Sequence, residues 1–517
     1  MLDLFKLHVD EEDISPRSWI CASGENLSSI ISRIVRETLE KKSINISTLA
    51  KIMSKRFATN LLSIIEWLKG RREYIPLVAI KVLLSIWKET FQRPFEELKK
   101  EIVQNIEYLK QNNGKCHKIK APNSLTEELA KLAGAHAADG TLGVRVEFYS
   151  RSRRLLEGFI EQKFPNCQNN MYFEKSRGTY CVGFNVGGRK NKAINKIVKT
   201  DQRFRRNKIL IRRQYVIGVS DQYKESLIKY SKWLFQCFGK YVRIEKAKDR
   251  NLYMINFKDK IIARIFYILF EFPLGKKSLN VKEPPIIRNS TFNTRKSFAI
   301  GAMMFDGSAY LNGYLSFSSK SKKLCESIKE VMKIENIASR LRKDEKRKIW
   351  HLKVKAPNTL GEGYSKASYF EKGSTKWFRV ILSATREFTK KARSKKDLLN
   401  FLDQFYSPAS FSKIGVKDVF FAIRKLKESD MPTITSFLIN DKKLSNLDSW
   451  TVQNYLEILR KADVVKKSSK KVIFVRKTGW KLNGTKGATF RNIYTFNSDI
   501  NSWRIPDLGD KLVLKRS

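Results

Sequence analysis

Gly134-Ala-His-Ala-Ala-Asp-Gly140 is answered far along the chain by Gly301-Ala-Met-Met-Phe-Asp-Gly307. Both read G-A-x-x-x-D-G, both close an apolar helical stretch, and both run into a strand. The small residues, Gly134 and Ala135 in one and Gly301 and Ala302 in the other, are expected to let two helix backbones approach closely. Helices packed in this way bring their C-terminal ends together, so Asp139 is expected near Asp306. Two carboxylates that close repel, and their pKa values split or rise unless a cation neutralises them. A hard divalent cation with oxygen ligands does this; Mg²⁺ is the natural candidate, with Mn²⁺ as a substitute. A metal-bound water beside a phosphodiester then serves as nucleophile, while the metal stabilises the leaving oxygen. One such segment alone is an ordinary helix terminator with ordinary close packing. Two at matched spacing, each feeding the same pattern, point to chemistry.

Charge sets the partner. The chain has 517 residues, with 102 Lys+Arg against 51 Asp+Glu, a formal net charge of +51. A compact chain so charged repels itself unless a polyanion neutralises it. Nucleic acid is the leading partner, and an acidic small-molecule enzyme is excluded as the first choice. A membrane surface is disfavoured, since no amphipathic or lipidation signal accompanies the charge. The 42% hydrophobic and 11% aromatic content is enough for real cores, so this is no disordered basic tail. The six cysteines are scattered, with no C-x-x-C, which argues against a zinc site or a disulfide framework. The start turns acidic at once, without an apolar signal core, so a reduced cytoplasmic protein is expected. Neither end has the residues of an intein, and a free-standing protein is expected.

Residues 1–120 read as an N-terminal all-helical domain. Ile46–Phe57 opens behind Asn45 as N-cap, Asn60–Gly70 has helical apolar spacing closed by Gly70, and Pro76 starts a third helix. Three short helices with a tight turn resemble a helix-turn-helix module; DNA contact and simple packing on the rest both stay open. After a polar linker, Ser124 or Thr126 caps the helix that carries the first G-A-x-x-x-D-G segment. Beyond it a strand–helix–strand–strand unit recurs three times, opening near Val144, Tyr215 and Gly313. The periods are unequal, which indicates duplication and not a solenoid.

Residues 396–517 read as a separate domain. Helices at Val416–Lys427, Thr433–Ile439 and Ser449–Ala462, the last behind Asp448, precede strands Lys471–Arg476 and Phe490–Phe496 joined by a basic loop. Three helices and a hairpin are the winged-helix order, in which Gln453 and Asn454 on the third helix would meet DNA. A protein-binding winged helix stays open as the alternative.

The paired segments resemble the LAGLIDADG motif of homing endonucleases in their single-chain, two-motif form. The first keeps Leu132, Ala133, Gly134, Ala138, Asp139 and Gly140; the second keeps Gly301, Asp306 and Gly307. Phe272-Pro-Leu-Gly-Lys-Lys-Ser278, leading to Pro284-Pro285, is similar to the family's connector. His136, unmatched in the second segment, is expected to be a packed helix residue, and Ala137 stands where the family often has an acid.

The resemblance implies an α+β protein with two pseudo-symmetric αββαββα halves, residues 121–285 and 286–395. The first half carries an insertion or extra degenerate repeat near 143–212. It further implies a site-specific double-strand DNA endonuclease in which Asp139 and Asp306 hold the metal, and Lys277 and, less closely, Lys376 stabilise phosphate charge. A sheet ribbon fits the major groove and can read base edges; strand candidates are Arg145, Arg243, Lys246, Asn256, Arg340 and Lys353. A monomer is expected. The alternative is a DNA-binding regulator that does not cleave, or an intron-RNA maturase on the same scaffold.

Overall fold

The computed structural model describes residues 1–9, 18–57, 59–92, 95–112, 117–165, 171–174, 178–186, 188–206, 208–247, 252–275, 279–310, 313–384, 390–405, 414–444, 447, 449–478 and 481–505. It is a mixed helix and sheet protein. Among the described residues, no helix is long and apolar enough to cross a membrane.

The two motif helices span Glu127–Asp139 and Phe292–Asp306. Each starts on a threonine whose hydroxyl accepts a backbone N–H three residues on: Thr126 from Leu129 and Thr291 from Thr294. Each ends without a turn. Gly140 and Gly307 have φ of −73° and −80°, ordinary extended backbone, and not the left-handed conformation of a glycine cap. Glycine is required for space: a Cβ would lie 2.6 Å from the His136 carbonyl oxygen in one and 2.3 Å from the Met303 carbonyl oxygen in the other. The strand therefore leaves the helix directly, and the aspartate stands at the corner.

Three strand–helix–strand–strand units follow the sequence pattern. The first comprises Gly140–Ser150, helix Arg153–Lys163, and strands Met171–Glu174 and Thr179–Val186. The second comprises Leu210–Asp221, helix Lys224–Phe238, Glu245–Lys246 and Tyr253–Lys258; the third, Leu315–Ser319, helix Lys322–Ile334, Ser339–Asp344 and Ile349–Val354. In each unit the opening strand pairs with the closing one, and the middle strand lies on the outer edge. The turn into each helix uses one device: Ser150, Asp221 and Ser319 accept the N–H two residues on, at 3.2, 2.9 and 3.1 Å.

The units assemble unequally. Gly140–Ser150 pairs with Leu210–Asp221, so units one and two form a single six-stranded sheet. The third unit gains only Gly307–Ala309, the short strand after the second motif helix, and makes a four-stranded sheet. Gly140 sits opposite Val219 as Gly307 sits opposite Phe317, so units two and three correspond. The first unit, described within 144–186, has no such counterpart beside the third unit, and is termed the additional copy.

Alternation sorts the faces. Leu142, Val144, Val146 and Phe148 are buried on the helix-covered side with Leu156, Phe159 and Ile160. Arg145, Gln214, Asn185 and Asn256 lie on the other side.

The expectation of an all-helical first 120 residues is corrected. Helices Leu27–Lys42, Ile46–Arg56, Leu61–Leu68, Leu77–Phe91 and Glu96–Gln104 are accompanied by a four-stranded antiparallel sheet of Ile75–Pro76, Ile20–Ser23, Tyr108–Gln111 and Ile119–Lys120. These strands are two to four residues long and show no alternation; Ile20–Ser23 is buried throughout. This region packs on helix Lys260–Arg264, where fully buried Arg264 donates to the Leu7 carbonyl at 2.7 Å and Lys260 to that of Ser18 at 2.6 Å.

At the other end, helix Val416–Leu426, strand Glu428–Asp430, helices Met431–Asp441 and Ser449–Lys461, and hairpin Val465–Thr478 with Lys481–Phe496 follow in that order. The hairpin is longer than expected, because much of the basic stretch assigned to a loop is strand. Asp448 lies outside the described residues.

Candidate functional site

The two motif helices meet backbone to backbone. A Cβ on Gly134 would stand 1.9 Å from the carbonyl oxygen of Phe298, and one on Gly301 would stand 2.0 Å from that of Lys131. Phe298 precedes Gly301 by three residues, as Lys131 precedes Gly134, so the contact is reciprocal, as across a two-fold axis. Only glycine fits at either point.

The aspartates stand five residues beyond these glycines, both half-buried. Ser220 Oγ donates to Asp139 Oδ2 at 3.1 Å. The next residue, Asp221, is buried and faces the charge of Lys376. Lys376, 5% exposed, donates to the carbonyls of Met304 at 2.5 Å and Phe305 at 3.3 Å, beside Asp306. A short path through Ser220, Asp221 and Lys376 thus ties the two helix ends together. Glu225 strengthens the tie, accepting from the Thr375 N–H at 3.0 Å and from its hydroxyl at 3.2 Å.

Burial pushes the Lys376 ammonium below the usual lysine range, and the negative charges of Asp221, Asp306 and Glu225 oppose that. Burial likewise pushes the Asp221 carboxyl up, against the pull of Lys376.

The donor set can be weighed for a metal. Among the described residues, no group of three or more His, Cys, Asp or Glu is gathered to enclose an ion. Two half-exposed carboxylates at adjoining helix ends are the available hard donors. A small divalent cation that keeps most of its waters and shares substrate phosphate oxygens needs no more than one or two. The residues therefore fit Mg²⁺ or Mn²⁺.

The other sequence candidates separate. Arg145 and Asn256 lie on the open face of the six-stranded sheet, Arg145 half-exposed and Asn256 exposed. Gly218 leaves room there, since a Cβ would lie 2.6 Å from both Asn256 Oδ1 and Thr141 Oγ1. Arg340 and Lys353 are exposed partners in the four-stranded sheet, on the face opposite buried Leu352 and Phe317.

Two candidates lie elsewhere than on the open sheet face. Arg243 is exposed but precedes the strand Glu245–Lys246, and so is not a strand residue. Lys246 pairs with Tyr253, which puts it on the face of buried Ile255, opposite Asn256; a one-residue shift in register reverses a side chain. Gln453 and Asn454 are half-buried on helix Ser449–Lys461. Lys277 lies outside the described residues.

His136 is fully buried, its ring stacked on Phe266 at 4.4 Å and tilted against Phe272 at 5.5 Å, a packed residue as expected. Sequence reasoning missed Ser220 and Asp221. Their signal was the three-fold repeat itself, which sets Asp221 beside Ser150 and Ser319 as the residue opening a helix.

No protein-family model and no curated protein matches the chain. Among solved structures, it is similar to one of the mesophilic variants of the homing endonuclease I-DmoI, at 12% identity over 50% of this chain and 97% of that chain, with a TM-score of 0.27. It is also similar to I-DmoI in complex with DNA and Ca, at 12% identity over 45% and 84% of the two chains and a TM-score of 0.26. For I-DmoI in complex with DNA and Mn, identity is 14% over 28% and 76%, with a TM-score of 0.22. At this level of identity and superposition the likeness decides nothing about the site.

Proposed function

We propose that the chain is a site-specific double-strand DNA endonuclease of the LAGLIDADG kind, built from two pseudo-symmetric halves that each supply one catalytic aspartate. The observation that carries this is the reciprocal glycine-to-carbonyl packing of two helices that both end in Asp-Gly. In this reading Asp139 and Asp306 hold a divalent cation, whose charge, when bound, activates water and stabilises the phosphate oxygens. Ser220 orients the Asp139 carboxylate. Lys376, buried against the second helix end, positions Asp306; its amine is occupied by backbone carbonyls. One chain carries both aspartates, so a single copy suffices.

The open sheet faces hold the duplex, with Asn256, Arg340 and Lys353 toward base edges. Residues 1–120 and the C-terminal domain lengthen the contact. Helix–strand–helix–helix–strand–strand is the order of a winged helix, with Gln453 and Asn454 on its third helix.

The test starts from duplexes selected by binding from a randomised library. With Mg²⁺ the wild type should linearise them, and chelation should stop it. Asp139→Asn and Asp306→Asn should each lower cutting by about three orders of magnitude, given that the chemistry is metal-assisted, while affinity stays within about threefold and keeps a steep salt dependence. Selective binding without cutting in Mg²⁺ or Mn²⁺ overturns the nuclease. Preference for structured RNA over duplex DNA replaces it.

A further inference from the structure

The additional strand–helix–strand–strand copy leaves a cluster of its own on the open face. Glu147, 4% exposed, is buried there by neighbouring side chains and not by the core. Its Oε1 accepts from Arg145 Nε at 3.1 Å, and its Oε2 from Tyr149 Oη at 2.6 Å and Gln214 Nε2 at 2.9 Å. Burial pushes this carboxyl up, but the bonds from Tyr149 and Arg145 and the charges of Arg212 and Arg145 outweigh it, and the net is a carboxyl below its usual range. An acid on a surface meant for a polyanion would ordinarily repel it. This one is consumed by its donors.

A second observation comes from the additional copy. Gly183, on strand Thr179–Val186, lies opposite Glu147. A Cβ there would come within 2.9 Å of Arg145 Nη2 and 3.1 Å of Glu147 Cγ. The missing side chain is the slot in which the guanidinium lies.

We propose that Glu147 and Gly183 hold Arg145 and Gln214 as a preset pair that reads base edges of duplex DNA. This rests on the DNA-binding part of the reading above, not on cleavage. The chemistry is specific. With Nε held by Glu147, Arg145 offers the fork of its two terminal nitrogens, which matches guanine O6 and N7. With Nε2 held, Gln214 offers its carbonyl oxygen, which accepts from the exocyclic amine of adenine or cytosine. Arg145 and Gln214 are register partners on adjacent strands, about 5 Å apart, so they meet neighbouring bases. Arg145 is six residues beyond Asp139, roughly 20 Å along a strand, which places the pair outward of the aspartates. Exposed Asn185 and Arg212 flank it. The copy contributing Gly183 thus extends the readable surface, and Glu147 is a positioning residue.

The experiment is selection of bound duplexes from a randomised library at one fixed salt concentration, for the full chain and three variants. The wild type should prefer guanine at one position, with adenine or cytosine beside it. Arg145→Ala should erase the guanine preference. Glu147→Gln and Gly183→Ala should each weaken it fivefold or more, with non-specific affinity changed less than threefold. The nearest atoms to a Cβ at Gly183 belong to the Arg145 guanidinium and the flexible Glu147 side chain, which can shift, so with an unchanged circular dichroism spectrum a change in preference reports displacement of the pair. An unchanged profile in Arg145→Ala, or in both other variants, overturns the proposal, as does a wild type without base preference. Wild-type selectivity of this form without cutting overturns the nuclease and leaves this proposal standing.

Discussion

The two ends of the helix seam are alike in backbone and unlike in surroundings. Gly134 and Gly301 make the same contact, and Gly140 and Gly307 release a strand in the same way. Around them the correspondence stops. Asp139 receives a hydroxyl from Ser220, on a strand of its own sheet. Ser318, at the matching register position, is instead bonded to His351 Nδ1 at 2.8 Å. The Asp306 end is held by buried Lys376, whose nearby acid Asp221 belongs to the other half. The lesson is physical: close backbone packing tolerates no divergence, whereas side chains around a helix end can reach one result by different means.

The largest effect should come from breaking what is shared. Gly134→Val and Gly301→Val each place carbon far inside van der Waals contact with a carbonyl oxygen, and each should cost more than about 4 kcal/mol or prevent folding. Chemical denaturation followed by circular dichroism measures this. Variants that fold within about 1 kcal/mol of wild type would mean that the seam is not the close contact described here.

Next comes a change centred on one end. Lys376→Met leaves Asp221 without its cation and takes the ammonium from two helix-end carbonyls, and should cost about 3 kcal/mol. On the proposed nuclease reading, cutting in a nicking assay that resolves the strands should also become unequal, since Asp306 loses its direct support while Asp139 keeps its hydrogen bond from Ser220. Equal loss on both strands would show the two ends to be coupled more tightly than their surroundings suggest.

The smallest effect belongs to the additional copy. Gly158 lies in helix Arg153–Lys163 with open space around it. Gly158→Ala should raise stability by about 0.5–1 kcal/mol, read as a higher denaturation midpoint, and leave the seam untouched.

Legibility followed the strength of local signals. The motif helices and the recurring unit were readable because apolar spacing and turn residues act within a few positions of one another; of the caps, the first was narrowed to Ser124 or Thr126, and Thr291 was not readable. The N-terminal sheet was not, since two-residue strands such as Ile75–Pro76 and Ile119–Lys120 exist only by pairing with distant segments. The facing of Lys246 was not readable, because it depends on register with Tyr253, which no local pattern encodes.

The sequence by itself determined the charge, the two Asp-Gly helix ends and the strand–helix–strand–strand repeat, since each is a property of neighbouring residues. Only the tertiary structure decided that Asp221 of one half faces Lys376 of the other, that Glu147 is buried among its donors, and that the additional copy joins the first sheet to make six strands. Burial and long-range pairing arise from segments brought together by packing, so those partners cannot be read along the chain.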